Sequence, residues 1–286
     1  IYYMIPLIDT HQHLIYRDIS NYSWTKDIPP LAENSFTIQD YKNLTAGLGI
    51  GGTIFMESGV DDPDYQKETS FVDSLCKDPE NSLIGLIVSI RPEKDDNFSK
   101  DLEETIQMGA VGYRRILHVE SDDMSKSDIF RKNVRKMGIS GKTFDLCFLE
   151  KQLPVAIELA KACDNTTLIL NHCGVPNIAG DTFESWSRDI KTISELPNVI
   201  CKLSGLMAYC APGTSSLDTI QPYVDHVLEC FGAKRMVWGS DWPVVNLGKG
   251  LPEWISVTRK ILSKLSKDEA DAIANGTAKR VYKVNL

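Results

Sequence analysis

The sequence predicts an α/β fold, a distorted TIM-type (β/α)8 barrel that forms a single domain over residues 4–286. Three observations support this fold class. Eight short apolar runs occur along the chain, a helical stretch follows each run, and the runs lack the regular alternation of a half-exposed sheet. Apolar strands separated by helices are typical of a parallel sheet that helices cover. Eight such units in 286 residues favour a closed barrel over an open sheet.

Strands and helices are predicted to alternate in order. The first strand ends at Leu7-Ile8, and a polar and aromatic loop over 14–35 follows it. Thr37 is the expected N-cap of the first helix, because its hydroxyl can accept from the first turn. The other strands are predicted at 53–57, 83–88, 110–115, 143–146, 167–172, 199–204 and 236–241, with helices at 65–77, 98–108, 149–163, 186–196, 220–231, 254–264 and 267–274. A second polar insert is predicted at 118–140.

The composition excludes several classes of partner. A net charge of −8 and an acidic isoelectric point argue against nucleic-acid binding, which normally needs a basic face. No apolar run is long enough for a membrane span, and no signal-peptide segment is recognisable, so membrane association is not expected. The seven cysteines include no C-x-x-C pair, which predicts reduced cysteines and a cytoplasmic location.

The pair His11 and His13 directly follows the first strand. Side chains two residues apart on a strand point the same way, so the two imidazoles are expected to face one point. Such a pair can bind a divalent ion or hold a polar substrate. A structural pair of histidines at an edge strand is the alternative reading.

Polar side chains occur where six of the predicted strands end, namely strands one, two, four, six, seven and eight. They are His11, His13, Glu57, Arg114, Arg115, Asn171, His172, Lys202, Ser204, Ser240 and Asp241. Charged groups at such positions are costly to bury unless they pair or serve a site. Because barrels of this type carry their active sites at the carboxyl ends of the strands, we expect these groups to converge there.

Several motifs resemble those of the amidohydrolase superfamily. They are Asp9-Thr10-His11-Gln12-His13, Phe144-Asp145-Leu146, Asn171-His172-Cys173-Gly174, Cys201-Lys202-Leu203-Ser204-Gly205 and Gly239-Ser240-Asp241-Trp242-Pro243. The resemblance covers nearly the whole chain. It is closest to the branch of sugar-lactonases and 2-pyrone-4,6-dicarboxylate lactonases, which includes L-fuconolactonase and L-rhamnono-lactonase. It implies a deformed (β/α)8 barrel that hydrolyses a lactone or amide bond.

The resemblance implies a catalytic role for four residues. Asp241 matches the aspartate of the last strand, which orients and deprotonates the attacking water. His11 and His13 match the histidine pair of the first strand, and His172 matches the histidine of the sixth. The three are expected to stabilise the oxyanion and orient the substrate. The alternatives are a Ser-Asp helix cap for Asp241 and a buried structural role for His172.

Arg114 matches an arginine of the fourth strand that is expected to bind substrate or stabilise an oxyanion. An ion pair with Glu57 is the alternative, and Glu57 is in turn a candidate metal ligand or histidine partner. Arg115 stands where related enzymes carry a histidine. By strand alternation only one of the two arginines can face the barrel, and we expect it to be Arg114.

Four further residues are assigned to substrate binding. Tyr22 and Trp24 are expected to form a stacking wall, although both can equally be loop anchors. Trp242 follows the candidate base. Lys202 is expected in the pocket, with a position in the barrel wall as the alternative. His118 and His226 are expected to be ordinary surface or core residues.

A two-metal site is not expected. Binuclear relatives carry a carboxylated lysine or glutamate on the fourth strand and a histidine ending the fifth, whereas this chain has Tyr113-Arg114-Arg115 and Leu146-Cys147. The set His11, His13, His172 and Asp241 can hold one ion at most. The resemblance implies that no cofactor is required and that a bound Zn²⁺ is optional.

The sequence-based hypothesis is therefore a hydrolase of carbohydrate metabolism that opens a sugar-derived lactone, an aldono-1,4- or 1,5-lactone of the L-fucono or L-rhamnono type. The expected partner is this small molecule, and the resemblance implies a monomer or a homodimer. The alternatives are a metal-dependent decarboxylase or amide hydrolase on the same barrel, and a pseudoenzyme that binds a sugar acid without turnover.

Overall fold

The fold is a nearly closed barrel of parallel strands. The structure is a computed structural model that describes residues 4–180 and 182–286, and all statements of absence below refer to these residues. Within them one sheet contains eight strands paired in sequence order, which confirms the predicted fold class. The strands are β1 Leu7–Gln12, β2 Ile50–Met56, β3 Leu83–Ser89, β4 Ala110–Ile116, β5 Thr143–Cys147, β6 Leu168–Leu170, β7 Val199–Leu203 and β8 Met236–Trp238.

Helices connect the strands and cover the outside of the barrel. They are α1 Ile38–Thr45, α2 Tyr65–Cys76, α3 Phe98–Gln107, α4 Asp122–Lys126, α5 Asp128–Ile139, α6 Leu153–Ala162, α7 Phe183–Ser194, α8 Leu217–Phe231, α9 Leu251–Leu262, α10 Lys267–Asp271 and α11 Thr277–Tyr282. The predicted N-cap of α1 is confirmed, because Thr37 and Asp40 form a reciprocal capping box. None of these helices is both long and apolar enough to cross a bilayer.

The prediction of a polar insert over 118–140 is wrong. This segment contains α4 and α5, and Ser121 and Ser127 cap their N-termini. Phe130, Val134 and Met137 of α5 are fully buried. Their spacing of four and three residues gives a narrow apolar stripe, which is enough to hold a helix whose remaining faces are charged.

The lower half of the barrel interior is apolar. Side chains from the strands fill it, and Tyr282 and Val284 at the end of the chain close it; the strand residues are Ile8, Ile54, Met56, Ile87, Ile169, Ile200 and Val237. Burial of this layer excludes water from the amino-terminal end of the barrel.

The barrel is closed between β8 and β1 by contacts beyond the end of β8. Gln12 of β1 forms an isolated parallel bridge with Trp242, which lies four residues beyond β8. The backbone nitrogen of His13 donates to the carbonyl of Trp242 at 2.9 Å, and that of Asp241 donates to the carbonyl of His11 at 2.9 Å. We call this set of contacts the seam.

Asp9 stabilises the seam from the outer side. One carboxylate oxygen accepts from the backbone nitrogens of His11 at 3.0 Å and Ser240 at 2.7 Å, and the other accepts from the Tyr41 hydroxyl of α1 at 2.7 Å. A register shift between Asp9 and Gln12 marks a bulge in β1. The bulge lets Asp9 face α1 while His11 faces the barrel interior, because an extra residue reverses the alternation.

Candidate active site

Three imidazoles surround one carboxylate oxygen at the carboxyl end of the barrel. The Oδ1 atom of Asp241 lies 3.6 Å from Nε2 of His11, 3.5 Å from Nε2 of His13 and 3.8 Å from Nε2 of His172. The Nε2 atoms of His11 and His13 are 3.2 Å apart. All four side chains are buried or nearly so. The structure thus brings together the four residues that the sequence selected for catalysis.

Two of these residues adopt left-handed backbone conformations. His172 has a φ of 52° and Asp241 a φ of 56°. Such angles are unfavourable for residues other than glycine and persist only where the surroundings impose them, often at functional sites. β6 and β8 end at Leu170 and Trp238, before these two residues and before the ends predicted at 172 and 241.

The histidine rings are oriented by contacts on their far sides. Nδ1 of His13 lies 3.1 Å from the carbonyl of Met56, which can only accept, so this nitrogen carries a proton. Nδ1 of His172 lies 2.8 Å from the hydroxyl of Ser204. The His172 ring also packs on Gly205, where a Cβ atom would approach the ring to 2.9 Å. Glycine is therefore required at this position for the observed ring orientation.

The electrostatics of the cluster keep Asp241 ionised. Burial by itself would raise the pKa of the Asp241 carboxyl, but His172, His13 and Arg114 together hold this pKa below its ordinary value. Its second oxygen, Oδ2, is buried without a hydrogen-bond partner among the described residues. An ionised carboxylate with an unused oxygen can accept a proton from a bound molecule.

Two of the histidines, His11 and His172, are kept neutral. Burial, opposed by Asp241, lowers the pKa of His172 to about 4. Burial lowers the pKa of His11 well below its ordinary value, and repulsion between a protonated His11 and a protonated His172 or Lys202 lowers it further. At neutral pH these rings therefore act as hydrogen-bonding groups rather than as cations.

Arg114 points into this cluster while it pairs with Glu57. Its Nε donates to Oε1 of Glu57 at 2.6 Å, and Nη2 donates to the carbonyl of Glu57 at 2.9 Å. The remaining nitrogen, Nη1, lies 3.4 Å from Nε2 of His11. The ion pair with Glu57 and a position at the site are thus compatible, since one edge of the guanidinium serves each purpose.

Both carboxylate oxygens of Glu57 already accept hydrogen bonds, which leaves neither free to bind a metal ion. Its Oε1 accepts from Arg114 and its Oε2 accepts from the backbone nitrogen of Gly59 at 2.9 Å. Arg115 points outside the barrel, where it pairs with Glu93 at 3.0 Å and Glu120 at 2.9 Å. The expectation that Arg114 and not Arg115 faces the barrel interior is consistent with this geometry.

Lys202 lies beneath the histidines and does not contact the open part of the site. It is fully buried. Its Nζ lies 2.7 Å from Oδ2 of Asp145, which also accepts from Asn171 at 2.6 Å. The prediction that Lys202 binds substrate is therefore not supported, because its side chain is covered by the residues that would face a ligand.

Two aromatic residues assigned to substrate binding are turned away from the site. The Trp242 ring packs edge-on against Phe36 and Tyr41, with centroids 5.6 and 5.4 Å apart, and is buried. Tyr22 is buried beneath the first loop with Ile15. These two assignments are corrected, because the left-handed turn at Asp241 directs Trp242 outward and the first loop has a small core of its own.

Trp24 remains a candidate for substrate binding. Its ring is 39% exposed, and its Nε1 donates to the carbonyl of Ser58 at 3.0 Å. Gly59 lies between Trp24 and Ile116, since a Cβ atom there would approach Ile116 to 3.1 Å and Trp24 to 3.2 Å. The indole thus lies across the carboxyl ends of β2 and β4.

Tyr209 is a residue that sequence reasoning missed. Its ring contacts that of His172 edge-on, with centroids 6.1 Å apart. Burial and the charge of Asp241 raise the pKa of its phenol well above the ordinary value, so the hydroxyl stays protonated. The hydroxyl makes no hydrogen bond within the described chain. Tyr209 follows Cys201-Lys202-Leu203-Ser204-Gly205 by only four residues, and that proximity was the available signal.

Cys147 and His118 also lie near the guanidinium of Arg114. The thiol is 3.4 Å from Nδ1 of His118. Burial raises the pKa of Cys147 to about 11, against the opposing effect of Arg114. The thiol is therefore protonated at neutral pH, which excludes it as a resident thiolate nucleophile.

The donor set fits one divalent ion. One ligand atom each from His11, His172 and Asp241 lie within 4.8 Å of one another, and nitrogen and carboxylate ligands suit Zn²⁺. On β4 the residue that reaches the cluster is Arg114, a cation. The site is compatible with a single optional metal ion.

Known proteins resemble this chain in sequence over nearly its whole length. The sequence model of the amidohydrolase family matches residues 8–284. An L-fucono-1,5-lactonase from Burkholderia multivorans is 28% identical over 287 residues, which cover 96% of this chain and 95% of that protein.

Two solved structures of an amidohydrolase from Burkholderia multivorans are similar to the fold. One, with bound HEPES, has a TM-score of 0.89 at 26% identity, and the other, with bound zinc, has a TM-score of 0.88 at 24% identity; each comparison covers 98% of this chain and 100% of the other. Because the family model spans nearly the whole chain and the fold agrees, the protein belongs to the amidohydrolase family and is a hydrolase.

Proposed function

We propose that the protein is a lactonase that opens a sugar-derived aldono-1,4- or 1,5-lactone, of the L-fucono or L-rhamnono type, to the aldonic acid. The observation that carries this proposal is the buried, ionised Asp241, which has one oxygen without a partner and three imidazoles around the other. The similarity to an L-fucono-1,5-lactonase supports the substrate class.

In the proposed mechanism Asp241 accepts a proton from a water molecule as that water attacks the lactone carbonyl. The available atom is Oδ2. The oxyanion that develops on the carbonyl is stabilised by Arg114 Nη1 and by imidazole N–H groups, which are already fixed by their other contacts. The bond from the carbonyl carbon to the ring oxygen then breaks, and Asp241 returns the proton to that oxygen.

We further propose that this reaction requires no metal. A lactone is an activated ester, so a positioned water, a base and a cationic hydrogen-bond donor suffice for its hydrolysis. Arg114 places a permanent positive charge 3.4 Å from His11, which disfavours a second cation there. When bound, a single ion held by His11, His172 and Asp241 would polarise the carbonyl as a Lewis acid.

A neutral, hydroxylated substrate is favoured over a dicarboxylate. Arg114 is the cationic side chain beside the open face of the histidine cluster, and its charge is already paired with Glu57 at 2.6 Å. Lys202, the other cation near the cluster, is fully buried beneath it. The phenol of Tyr209 and the indole of Trp24 are uncharged and suit the hydroxyls and the apolar face of a sugar ring. We therefore place the enzyme in carbohydrate metabolism, and we propose a cytoplasmic location because the seven cysteines are free.

The test is acid release, followed with a pH indicator, across a panel of aldonolactones with chelator-treated protein. Hydrolysis of a sugar lactone without added metal is expected. Turnover of an aromatic acid or an amide only after addition of Zn²⁺ or Mn²⁺, with no activity on any lactone, would favour the decarboxylase or amide hydrolase. Tight lactone binding without acid release would indicate a pseudoenzyme.

A further inference from the structure

Trp24 is held in place largely from outside its own loop. It lies in a 3-10 turn, Ser23–Thr25, and its ring is partly exposed. Its Nε1 donates to the carbonyl of Ser58 at 3.0 Å, and its ring lies against Gly59. Ser58 and Gly59 belong to the segment 57–64, which follows β2. The position of the indole therefore depends on how the first loop is attached to this segment.

Two carboxylates of segment 57–64 attach it to the first loop. Oδ1 of Asp61 accepts from the backbone nitrogen of Ser23 at 2.9 Å, and Oδ2 accepts from the Ser23 hydroxyl at 2.7 Å. Oδ2 of Asp64 accepts from the backbone nitrogen of Asn21 at 2.9 Å and from its side-chain amide at 3.3 Å. The backbone nitrogen of Asp61 donates to the carbonyl of Asn21 at 2.9 Å. We call this set of hydrogen bonds the latch.

The latch acts on the residue directly before Trp24. Asp61 holds both the backbone and the side chain of Ser23, which fixes the direction in which the chain enters the turn. Hydrogen bonds to a carboxylate are stronger than those between neutral groups. These bonds are nevertheless exposed, so each adds little to the stability of the whole fold. Loss of Asp61 is therefore expected to free the turn without unfolding the barrel.

Segment 57–64 also holds Arg114, the proposed oxyanion donor. Its first residue, Glu57, accepts from Arg114 through its carboxylate at 2.6 Å and through its carbonyl at 2.9 Å. These contacts do not pass through the first loop. Release of the latch is therefore expected to free the indole while Arg114 stays in place, so that substrate binding and the chemical step respond differently.

We propose that Asp61 and Asp64 are positioning residues that hold Trp24 across the carboxyl ends of β2 and β4, where its ring forms one wall of the substrate site. This inference deepens the proposed function and rests on it for the role of Trp24 as a substrate contact. Each carboxylate acts on the indole through the first loop and not by touching the substrate. The latch thereby determines how tightly a hydroxylated ring is bound, and not how fast the bound ring is opened.

The first test is acrylamide quenching of the tryptophan fluorescence of the full chain. Four of the five tryptophans are at most 2% exposed, namely Trp186, Trp238, Trp242 and Trp254. Quenching therefore reports mainly on Trp24, and the W24F variant assigns that signal. D61A is expected to raise the quenching constant up to about twofold, since the indole is already 39% exposed and local opening can expose only the rest.

The second readout is steady-state kinetics on the lactone that the wild type hydrolyses fastest. D61A is expected to raise KM about 5-fold with kcat nearly unchanged, because it weakens a contact made equally in the ground state and the transition state. In a W24A background D61A is expected to change KM no further, since the ring through which it acts is gone. A carboxylate that only stabilised the fold would have the same effect in both backgrounds.

Three further variants complete the test. D61N removes the charge but keeps an oxygen for the Ser23 backbone nitrogen, and it is expected to resemble the wild type. D62N alters the neighbouring carboxylate, which pairs with Arg91 at 2.6 Å and not with the first loop, and it is also expected to resemble the wild type. D64A acts earlier in the loop, at Asn21, and is expected to change quenching and KM in the same direction as D61A by a smaller factor.

Unchanged quenching in both D61A and D64A, or an effect of D61A on KM that persists in the W24A background, would overturn this proposal while lactone hydrolysis by the wild type remains. Equal effects of D61A and D61N would also overturn it, because charge and not hydrogen bonding would then be responsible. Conversely, a protein that hydrolyses no lactone but shows the quenching change in D61A would overturn the proposed function and support the latch.

Discussion

The backbone nitrogen of Asp241 donates a hydrogen bond to the carbonyl of His11 at 2.9 Å. The same two residues face each other through their side chains, with Nε2 and Oδ1 3.6 Å apart. The seam that closes the barrel between β8 and β1 is therefore also the structure that sets the distance between the candidate base and the first histidine. Changes to the seam are expected to affect stability and turnover together.

The carboxylate of Asp9 allows this coupling to be tested. D9L removes the acceptor for two buried backbone N–H groups and is expected to destabilise the fold by about 3 kcal/mol and to slow turnover. D9N keeps an acceptor oxygen of the same shape and is the matched control, with a much smaller loss. Urea unfolding and turnover are measured for both variants. Equal stability of D9L and D9N would refute the structural role assigned to this carboxylate.

The ion pair of Arg114 and Glu57 separates stability from activity. R114M leaves Glu57 charged and buried, which is expected to cost about 3–5 kcal/mol of unfolding free energy. R114M/E57Q removes both charges and should recover most of that loss without recovering turnover, because Nη1 is still missing near His11. Chemical denaturation and lactone hydrolysis are compared for the two variants. Recovery of activity in the double variant would show that Arg114 acts only through folding.

Acidification is expected to destabilise the protein between about pH 6.5 and pH 4. Burial lowers the pKa of His172 to about 4, so in this range the unfolded chain binds a proton that the folded chain does not. Stability therefore falls as the pH falls, by ~3 kcal/mol over the range for this group. Below about pH 4 the unfolding free energy falls further as Asp241 is protonated, because the fold holds the pKa of this carboxyl below its ordinary value.

The control for this pH dependence is H172Q, which removes the titrating group. Unfolding free energies of both proteins are measured from pH 4 to pH 7. The slope is expected to be smaller in H172Q than in the wild type. An identical slope would mean that His172 is not the group responsible.

Tyr209 offers a test of specificity. Its hydroxyl makes no hydrogen bond within the described chain, so Y209F is expected to change the unfolding free energy by less than ~0.5 kcal/mol. The loss of a neutral hydrogen bond to substrate should lower kcat/KM about 3–10-fold. The loss is expected on a hydroxylated lactone and not on an analogue lacking the hydroxyl that Tyr209 contacts. Y282F, at the opposite end of the barrel, is the control; equal effects of both variants would argue against the assignment.

The convergence of the candidate site residues could be predicted from the sequence, because it depends on strand order alone. The five residues lie at or just beyond the carboxyl ends of strands, and these ends lie together in a parallel barrel whatever the exact strand lengths. They are His11, His13, Arg114, His172 and Asp241. The left-handed turns at His172 and Asp241 do not alter that convergence.

Other features depend on information that a strand pattern does not contain. The outward direction of Trp242 follows from the positive φ angle of Asp241. An aspartate in the sequence does not by itself predict such an angle. The partner of Lys202 is Asp145, from a different strand, and only the register of the barrel pairs them. Tyr209 lies in a loop, where periodicity gives no direction for a side chain. Helix α5 was missed because its apolar stripe is narrow.

The most direct test of the account is the D241N variant, assayed on the lactone that the wild type hydrolyses fastest. An amide has nearly the same shape as the carboxylate but cannot accept the proton of water, so turnover is expected to fall at least ~100-fold, with the fold retained. D123N, which alters an exposed carboxylate of α4, is expected to match the wild type. Turnover of D241N within a few-fold of the wild type would contradict the assignment of Asp241 as the base.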